Sequence, residues 1–236
     1  MNHLTRRSFV TAAAASVTAF GTLAANPQDA QAQLVYTTSD WNVAAFNKIV
    51  HHPARIKQVY DVVAINDGRF LNNIKNSLNG LHFGFGVPVE QIKVVAALHG
   101  PANMLNYDDF IWNKYQIGAW LKVEDPATGK PALRNPCFAS RTALHYTSHD
   151  PNSEASLYED KSIEALQSRG VTFLSCHTAT EEQARVLVQH NNLSADPESI
   201  VREMLSHLIP DALSVASMVA AIALLQADGH YTYITV

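Results

Sequence analysis

The chain has 236 residues and carries 17 basic against 21 acidic side chains, a formal net charge of −4. This weakly acidic balance, with no run of basic residues beyond the N-terminus, excludes nucleic acid and anionic membrane surfaces as expected partners. The most apolar late segment, residues 213–225, is too short to cross a bilayer, so we expect no membrane span.

The N-terminus has the features of an export signal. Residues 5–10 read TRRSFV, a twin-arginine pattern, and a stretch rich in Ala, Thr and Val follows before the small residues Ala30 and Ala32. We expect residues 1–32 to be a twin-arginine signal peptide and residues 33–236 to be the mature periplasmic protein. An ordinary secretory signal that carries two arginines is the alternative. The mature length suits one domain with a sizeable core.

After this signal, the first half of the chain alternates apolar runs with helical patterns. KQVYDVVAI at 57–65 and IKVVAALH at 92–99 show almost no polar alternation, which is typical of strands buried on both faces. The helices predicted around these two strands run from residue 39 or 40 to 53, over 71–81, and from 106–109 onward.

The second half begins with a loop. Residues 121–150 include KVEDPATGKPALRNPC, whose prolines and DPATGK turn predict a long loop with a small hairpin around Thr128 and Gly129. Further on, Thr180 and Gln183 form a T-x-x-Q capping box, which predicts a helix start. The other predicted elements are a helix over 156–169, a strand over 171–176, a helix over 197–207, a short strand at 208–209, an apolar helix ending at 226 and a terminal strand over 231–236.

This alternation of strands and helices predicts a parallel sheet with helices on both faces. We therefore expect an α/β protein with a three-layer α/β/α fold and a single, mostly parallel sheet of about five strands. No internal repeat or linker divides residues 33–236, so we expect one domain in which 121–150 is an inserted loop.

In such a sheet, ligands bind outside the carboxyl ends of the strands. His99 ends one predicted strand and precedes Gly100, while Cys176 ends another and precedes His177. A thiol just ahead of a helix lies near unpaired backbone N–H groups and the positive end of the helix dipole, which favours the nucleophilic thiolate, although Glu181 acts in the opposite sense. The alternative for Cys176 is an inert cysteine that closes a core strand, and both histidines can instead be hydrogen-bonded scaffolding.

Several familiar site motifs are absent from the sequence. There is no C-x-x-C, H-E-x-x-H or C-x-x-C-H pattern, so we predict no dedicated metal site and no bound cofactor. The sequence also lacks G-x-G-x-x-G, G-K-S/T and G-x-S-x-G, which argues against a nucleotide loop and a serine-hydrolase elbow. Cys137 and Cys176 can pair in an oxidising compartment. A chain of this length does not need the bridge, and we expect Cys137 to be dispensable.

Three stretches together resemble the DsrE/DsrF-like family. They are VVAALHGPA at 94–102, GVTFLSCHTAT at 170–180 and the ending at 209–234 with its LLQADGHYTYI pattern. The resemblance covers residues 57–118 and 156–236. It implies a compact α/β/α fold with a parallel sheet, assembly into oligomers and, in the sulfur-relay members, a cysteine that carries persulfide sulfur between proteins. That cysteine falls on Cys176, and the H-G pair of the family falls on His99 and Gly100. The export signal and the inserted loop depart from the relay members.

The resulting hypothesis is a periplasmic sulfur-handling protein in which Cys176 accepts or carries sulfane sulfur as a persulfide. The residues expected to bind the substrate are His99, Gly100, His177 and Thr178. The expected partners are a small sulfur compound or a sulfur-carrier protein, and further copies of the chain in a homo-oligomer. Two alternatives stay open. One is a non-catalytic module of the same fold that binds a small ligand or a partner. The other is a metal- or haem-associated protein, since the twin-arginine route often exports chains already folded around a cofactor.

Overall fold

The computed structural model describes residues 37–140 and 146–236. The predicted signal peptide, residues 1–32, lies outside the described residues. Within these two ranges no helix is both long and apolar enough to cross a membrane.

One sheet of parallel strands forms the centre of the fold. Its strands are β1 (Ile56–Val62), β2 (Ile92–Leu98), β3 (Thr172–Cys176), β4 (Leu213–Val215) and β5 (Thr232–Thr235), in the spatial order β4-β3-β2-β1-β5. In the register, Val59 of β1 lies opposite Val95 of β2, and Leu98 of β2 lies opposite Ser175 of β3. Every adjacent pair is parallel, so the carboxyl ends of the strands share one edge of the sheet.

Helices and short turns connect the strands. In the described ranges the α-helices are α1 (Val43–Val50), α2 (Arg69–Asn79), α3 (Asp109–Lys114), α4 (Ile117–Leu121), α5 (Ile163–Ser168), α6 (His177–His190), α7 (Pro197–Ser206) and α8 (Met218–Ala227). Other short helical segments are the 3₁₀ turns Asn66–Gly68, Val89–Gln91 and Gly100–Asn106, and a wider π-helical turn over Gly80–Gly84.

The helices cover both faces of the sheet and give three layers. One face, here called the broad face, packs against α2 to α7, and its core includes Tyr60 and Phe173 of the strands. The other, the narrow face, packs against α1 and α8, and its core includes Val59 and Leu174. Successive residues of a strand point to opposite faces, so central strands covered on both sides are apolar throughout. The predicted α/β/α fold is confirmed.

Two predicted elements near the C-terminus are wrong. The apolar segment 213–225 is not one helix, because Leu213–Val215 forms β4 beside β3 and the helix begins only at Met218. A short, mostly apolar run has too little periodicity to separate a buried strand from a buried helix, so pairing with β3 decides. The strand predicted at residues 208–209 is reduced to a single antiparallel bridge to Tyr107.

The helix predicted over residues 156–169 is also shorter than expected and occupies only α5. Its N-cap is Ser162, whose Oγ accepts a hydrogen bond from the backbone N–H of Ala165 at 3.1 Å. Just before it, Asp160 Oδ1 accepts a bond from the backbone N–H of Ser162 at 2.7 Å. Such local bonds between side chain and backbone favour a turn over a longer helix.

The inserted loop contains the predicted hairpin. The backbone N–H of Asp125 donates to the carbonyl of Lys130 at 2.8 Å and closes the turn. Further along, the Asn135 side chain donates to the carbonyls of Leu105 and Tyr107 at 2.8 and 3.0 Å. These bonds hold the loop against the broad-face layer.

Candidate functional site

The carboxyl ends of β3 and β4 form a topological switch point of the sheet, and the gap between their outgoing connections is here called the crevice. The chain leaves β3 into α6 on the broad face, and it leaves β4 into α8 on the narrow face. Neighbouring parallel strands whose connections go to opposite faces leave a gap between those connections, and open α/β sheets bind ligands at such a switch point. Cys176 is the last residue of β3, so this thiol lies at the switch point.

Cys176 lies at the N-termini of two helices. It directly precedes α6, and its Sγ accepts a hydrogen bond from the backbone N–H of Met218, the first residue of α8, at 3.4 Å. The first N–H groups of a helix have no partner within the helix, and the N–H of Met218 uses the Cys176 sulfur as its acceptor. Cys176 is 5% exposed and forms no disulfide. A small molecule can therefore reach the sulfur, whereas a larger one needs a local opening of the structure.

A buried amide fixes the end of β3. Asn103, in the turn after β2, is fully buried, and its Oδ1 accepts hydrogen bonds from the backbone N–H of Cys176 at 2.9 Å and from Ser175 Oγ at 3.0 Å. Its Nδ2 donates to Gln183 Oε1 at 3.0 Å and to Thr180 Oγ1 at 3.2 Å. Buried networks of this kind select one arrangement of the backbone. Sequence analysis missed Asn103, because a single asparagine after a strand carries no pattern of its own.

The same network shows that the predicted capping box is wrong. The helix α6 begins at His177, ahead of Thr180. Thr180 Oγ1 donates to the carbonyl of Cys176 at 2.9 Å, and Gln183 Nε2 donates to the carbonyl of Gly100 at 2.6 Å. Both side chains are buried and connect α6 to the ends of β2 and β3. The contacts of Gln183 and Thr180 with Gly100 and Asn103, which lie far away in the chain, replace the local capping pattern.

Two of the predicted substrate-binding residues, His177 and Thr178, contact protein groups beside the crevice. His177 is 6% exposed, and its Nε2 lies 3.2 Å from Oε1 of Glu181, one helical turn further along α6. Burial lowers the pKa of His177, and the Glu181 carboxylate acts in the opposite direction. Thr178 Oγ1 donates to the carbonyl of Ala216 at 3.1 Å and so ties α6 to the connection between β4 and α8.

The other two, His99 and Gly100, follow β2. The backbone N–H of His99 donates to the carbonyl of Val62 at 3.0 Å, which extends the sheet by one residue. Gly100 has φ of +51°, and a Cβ there would lie 3.1 Å from Cγ1 of Val63, so a side chain at this position would crowd Val63 and strain the backbone. The register of β2 against β3 makes His99 and Cys176 the next neighbours beyond the paired residues. The structure thus brings these two predicted residues to one edge.

Two side chains that sequence analysis did not identify join His99. Its Nε2 lies 2.7 Å from Oδ1 of Asp61 on β1, and the hydroxyl of Tyr233 on β5 donates to Oδ2 of Asp61 at 2.5 Å. The Asp61 carboxylate raises the pKa of Tyr233, which keeps the phenol a donor. The one signal in the sequence is that Asp61 is the single acidic residue of KQVYDVVAI.

Cys137 lies on the broad face, away from Cys176. It borders a cavity of about 350 Å³ whose lining also includes Gly68 and Lys161. Burial raises the pKa of Cys137 to about 11, so it is a neutral thiol at neutral pH. Both cysteines are free, and the sheet separates them. Cys137 is therefore not part of the crevice.

The described part of the chain is a three-layer α/β/α protein with a cysteine at the switch point and an Asp–His–Tyr cluster beside it. Among the described residues, no group of three or more His, Cys, Asp or Glu side chains is arranged to hold a metal ion. No protein-family model, no curated protein and no solved structure matches the chain.

Proposed function

We propose that this protein handles sulfur, with Cys176 as the residue that accepts and carries sulfane sulfur. The observation that carries the proposal is the position of its Sγ at the switch-point crevice, where the backbone N–H of Met218 donates to it. The resemblance of residues 170–180 to the DsrE/DsrF-like family supports the same function, since the relay cysteine of that family falls on Cys176.

The proposed transfer needs no external oxidant. The Cys176 thiolate attacks the outer sulfur of a polysulfide or another persulfide, a new S–S bond forms, and the S–S bond of the donor breaks. The electron pair of the broken bond leaves with the donor, which becomes a thiolate one sulfur atom shorter. Cys176 then holds the transferred sulfur as a persulfide. Helix N-termini favour both the attacking thiolate and the persulfide anion.

The surroundings of Cys176 favour a small donor. The residue is 5% exposed, so a polysulfide can reach its sulfur with less movement than a carrier protein needs. Of the four predicted substrate-binding residues, His99 lies beside Cys176 across the strand ends, whereas His177 and Thr178 hold the wall of the crevice. A sulfur-carrier protein as second partner, a homo-oligomeric assembly and a periplasmic location after twin-arginine export belong to the same proposal.

The test is mass spectrometry of the purified protein after incubation with a polysulfide. Cys176 should gain the mass of at least one sulfur atom, and Cys176→Ser should gain none while keeping its fold, because the exchange is nearly isosteric. Cys137→Ser is the matched control and should gain as much sulfur as the unaltered protein.

The alternatives predict different results. If Cys176 gains no sulfur and also resists alkylation in the folded protein, it is an inert core cysteine and the protein is a binding module. Metal and haem analysis of the exported protein tests the third possibility, because a stoichiometric metal or haem would identify a metal- or haem-associated protein.

A further inference from the structure

Three titratable side chains from separate parts of the chain meet at the carboxyl edge of the sheet. Asp61 uses both of its carboxylate oxygens, one with His99 Nε2 and the other with the Tyr233 hydroxyl. The side chains of His99 and Asp61 are 23% and 17% exposed, so solvent or a ligand can reach the pair. A partly exposed histidine that is hydrogen-bonded to a carboxylate has the arrangement of a general base with its orienting group.

The hydrogen bond to Asp61 determines which nitrogen of His99 is basic. A carboxylate only accepts, so the proton of the neutral ring lies on Nε2 and the lone pair lies on Nδ1. Among the described residues Nδ1 has no hydrogen-bond partner. Tyr233 donates to the other oxygen and holds the carboxylate in place. His99 is therefore oriented to accept a proton at Nδ1.

The strand pattern puts this histidine on the same face as the thiol. Val59, Ala97 and Leu174 all belong to the narrow-face core. Two residues further along each strand come Asp61, His99 and Cys176, and side chains two residues apart point to the same face. Since β2 lies between β1 and β3, His99 is between Asp61 and Cys176 along the edge.

We propose that His99 is the proton-transfer residue of the Cys176 thiol, and that Asp61 is the residue that positions His99 for this role, with Tyr233 supporting Asp61. His99 Nδ1 takes the thiol proton of Cys176, directly or through one water, and leaves the thiolate. When the donor S–S bond breaks, the imidazolium returns that proton to the leaving thiolate. No proton is gained or lost over the cycle. The sulfur donor in this step rests on the proposed function, but the base assignment does not.

The other ionisable groups near this edge are engaged elsewhere. His177 and Glu181 face each other within α6, and Asp40 interacts electrostatically with His177. The hydrogen bond to Asp61 raises the pKa of Tyr233, so this phenol is protonated at about pH 7. Tyr107 interacts electrostatically with Cys176, but burial raises the pKa of this phenol, so it stays protonated at about pH 7. The pair of Asp61 and His99 is therefore the proton acceptor that we assign to Cys176.

The test measures the alkylation rate of Cys176 against pH in the full folded protein. In Asp61→Asn and His99→Gln, the rate at about pH 7 should fall roughly tenfold, and the difference should shrink as the pH rises, because hydroxide then takes over the removal of the proton. Nitrogen NMR should show His99 as the Nε2–H tautomer in the unaltered protein and as a mixture in Asp61→Asn. His99→Gln carries the kinetic test if Asp61→Asn does not fold.

A second Asp–His pair supplies the matched control. Asp108 Oδ2 lies 2.8 Å from Nδ1 of His207, away from the crevice, so Asp108→Asn and His207→Gln should leave the Cys176 profile unchanged. Profiles of Asp61→Asn and His99→Gln that coincide with these controls would overturn the inference even if Cys176 takes up sulfur. If the pH profile of Cys176 changes in Asp61→Asn and His99→Gln but the unaltered protein takes up no sulfur, His99 is still the base and the proposed sulfur transfer is wrong. A Cys176 that never reacts rejects both.

Discussion

Replacing Asn103 with alanine tests how strongly the buried network holds the end of β3. The alanine would leave the backbone N–H of Cys176 and the Oε1 of Gln183 without their partner, and both groups are buried. An unsatisfied buried group costs about 1–3 kcal/mol, so the two together should lower the free energy of unfolding by about 4 kcal/mol. For a domain of this size, that corresponds to a fall in Tm of about 8–16 °C.

The assay is urea unfolding followed by circular dichroism. The midpoint should fall while the slope with denaturant stays constant, because the folded and unfolded states still differ by the same surface. Asn113→Ala is the control, since Asn113 is exposed, and its effect should be below about 0.5 kcal/mol. In Asn103→Ala, alkylation of Cys176 should also be faster, because its backbone is no longer held from the broad-face side.

A small effect would refute this reasoning. If Asn103→Ala loses less than about 1 kcal/mol, the partners of Asn103 find other hydrogen bonds or water, and the network does not hold the end of β3. An unchanged rate of Cys176 alkylation in Asn103→Ala would lead to the same conclusion.

Three other predictions concern the loop, the second thiol and export. Gly118→Ala should destabilise the protein by roughly 3 kcal/mol in urea unfolding, because the added Cβ would lie 2.3 Å from the backbone of Ala132. Gly80→Ala is the control and should not destabilise the protein, because a Cβ added there meets nothing within 4 Å. Burial raises the pKa of Cys137 to about 11 in the folded protein, compared with roughly 8.5 in the unfolded chain. Below about pH 8.5 the thiol is neutral in both states, so the stabilisation that comes from keeping it neutral in the fold is fully present. Stability should then fall by about 1.4 kcal/mol per pH unit up to about pH 11, and a Cys137→Ala series should lack this slope. Lysine replacement of both arginines in TRRSFV should block export, and normal periplasmic accumulation in cell fractions would indicate the general secretory route.

Much of the fold follows from local sequence patterns. The strands β1, β2 and β3 begin and end within a few residues of their predicted limits, because strands buried on both faces are continuous apolar runs. The same reasoning failed at β4, whose three residues are part of a longer apolar segment. It also failed at the start of α6, where buried hydrogen bonds from Thr180 and Gln183 replace the predicted cap.

The candidate site divides in the same way. His99 and Cys176 could be predicted as candidates, because ligands bind outside the carboxyl ends of the strands in a parallel sheet. Asn103, Asp61 and Tyr233 could not, because each gains its role from contacts with residues far away in the chain. A polar residue without such contacts is indistinguishable in sequence from an ordinary surface side chain.

The sequence by itself determined the alternation of elements, the three-layer class and the two strand ends that carry histidine and cysteine, because these depend on periodicity and on local turn residues. Only the tertiary structure decided the strand order β4-β3-β2-β1-β5. That order places Tyr233 against Asp61 and the first N–H of α8 against the Cys176 sulfur, while the sheet separates Cys137 from both. The physical reason is that such contacts depend on which faces bury the most apolar surface together, a property of the whole packed chain rather than of any segment.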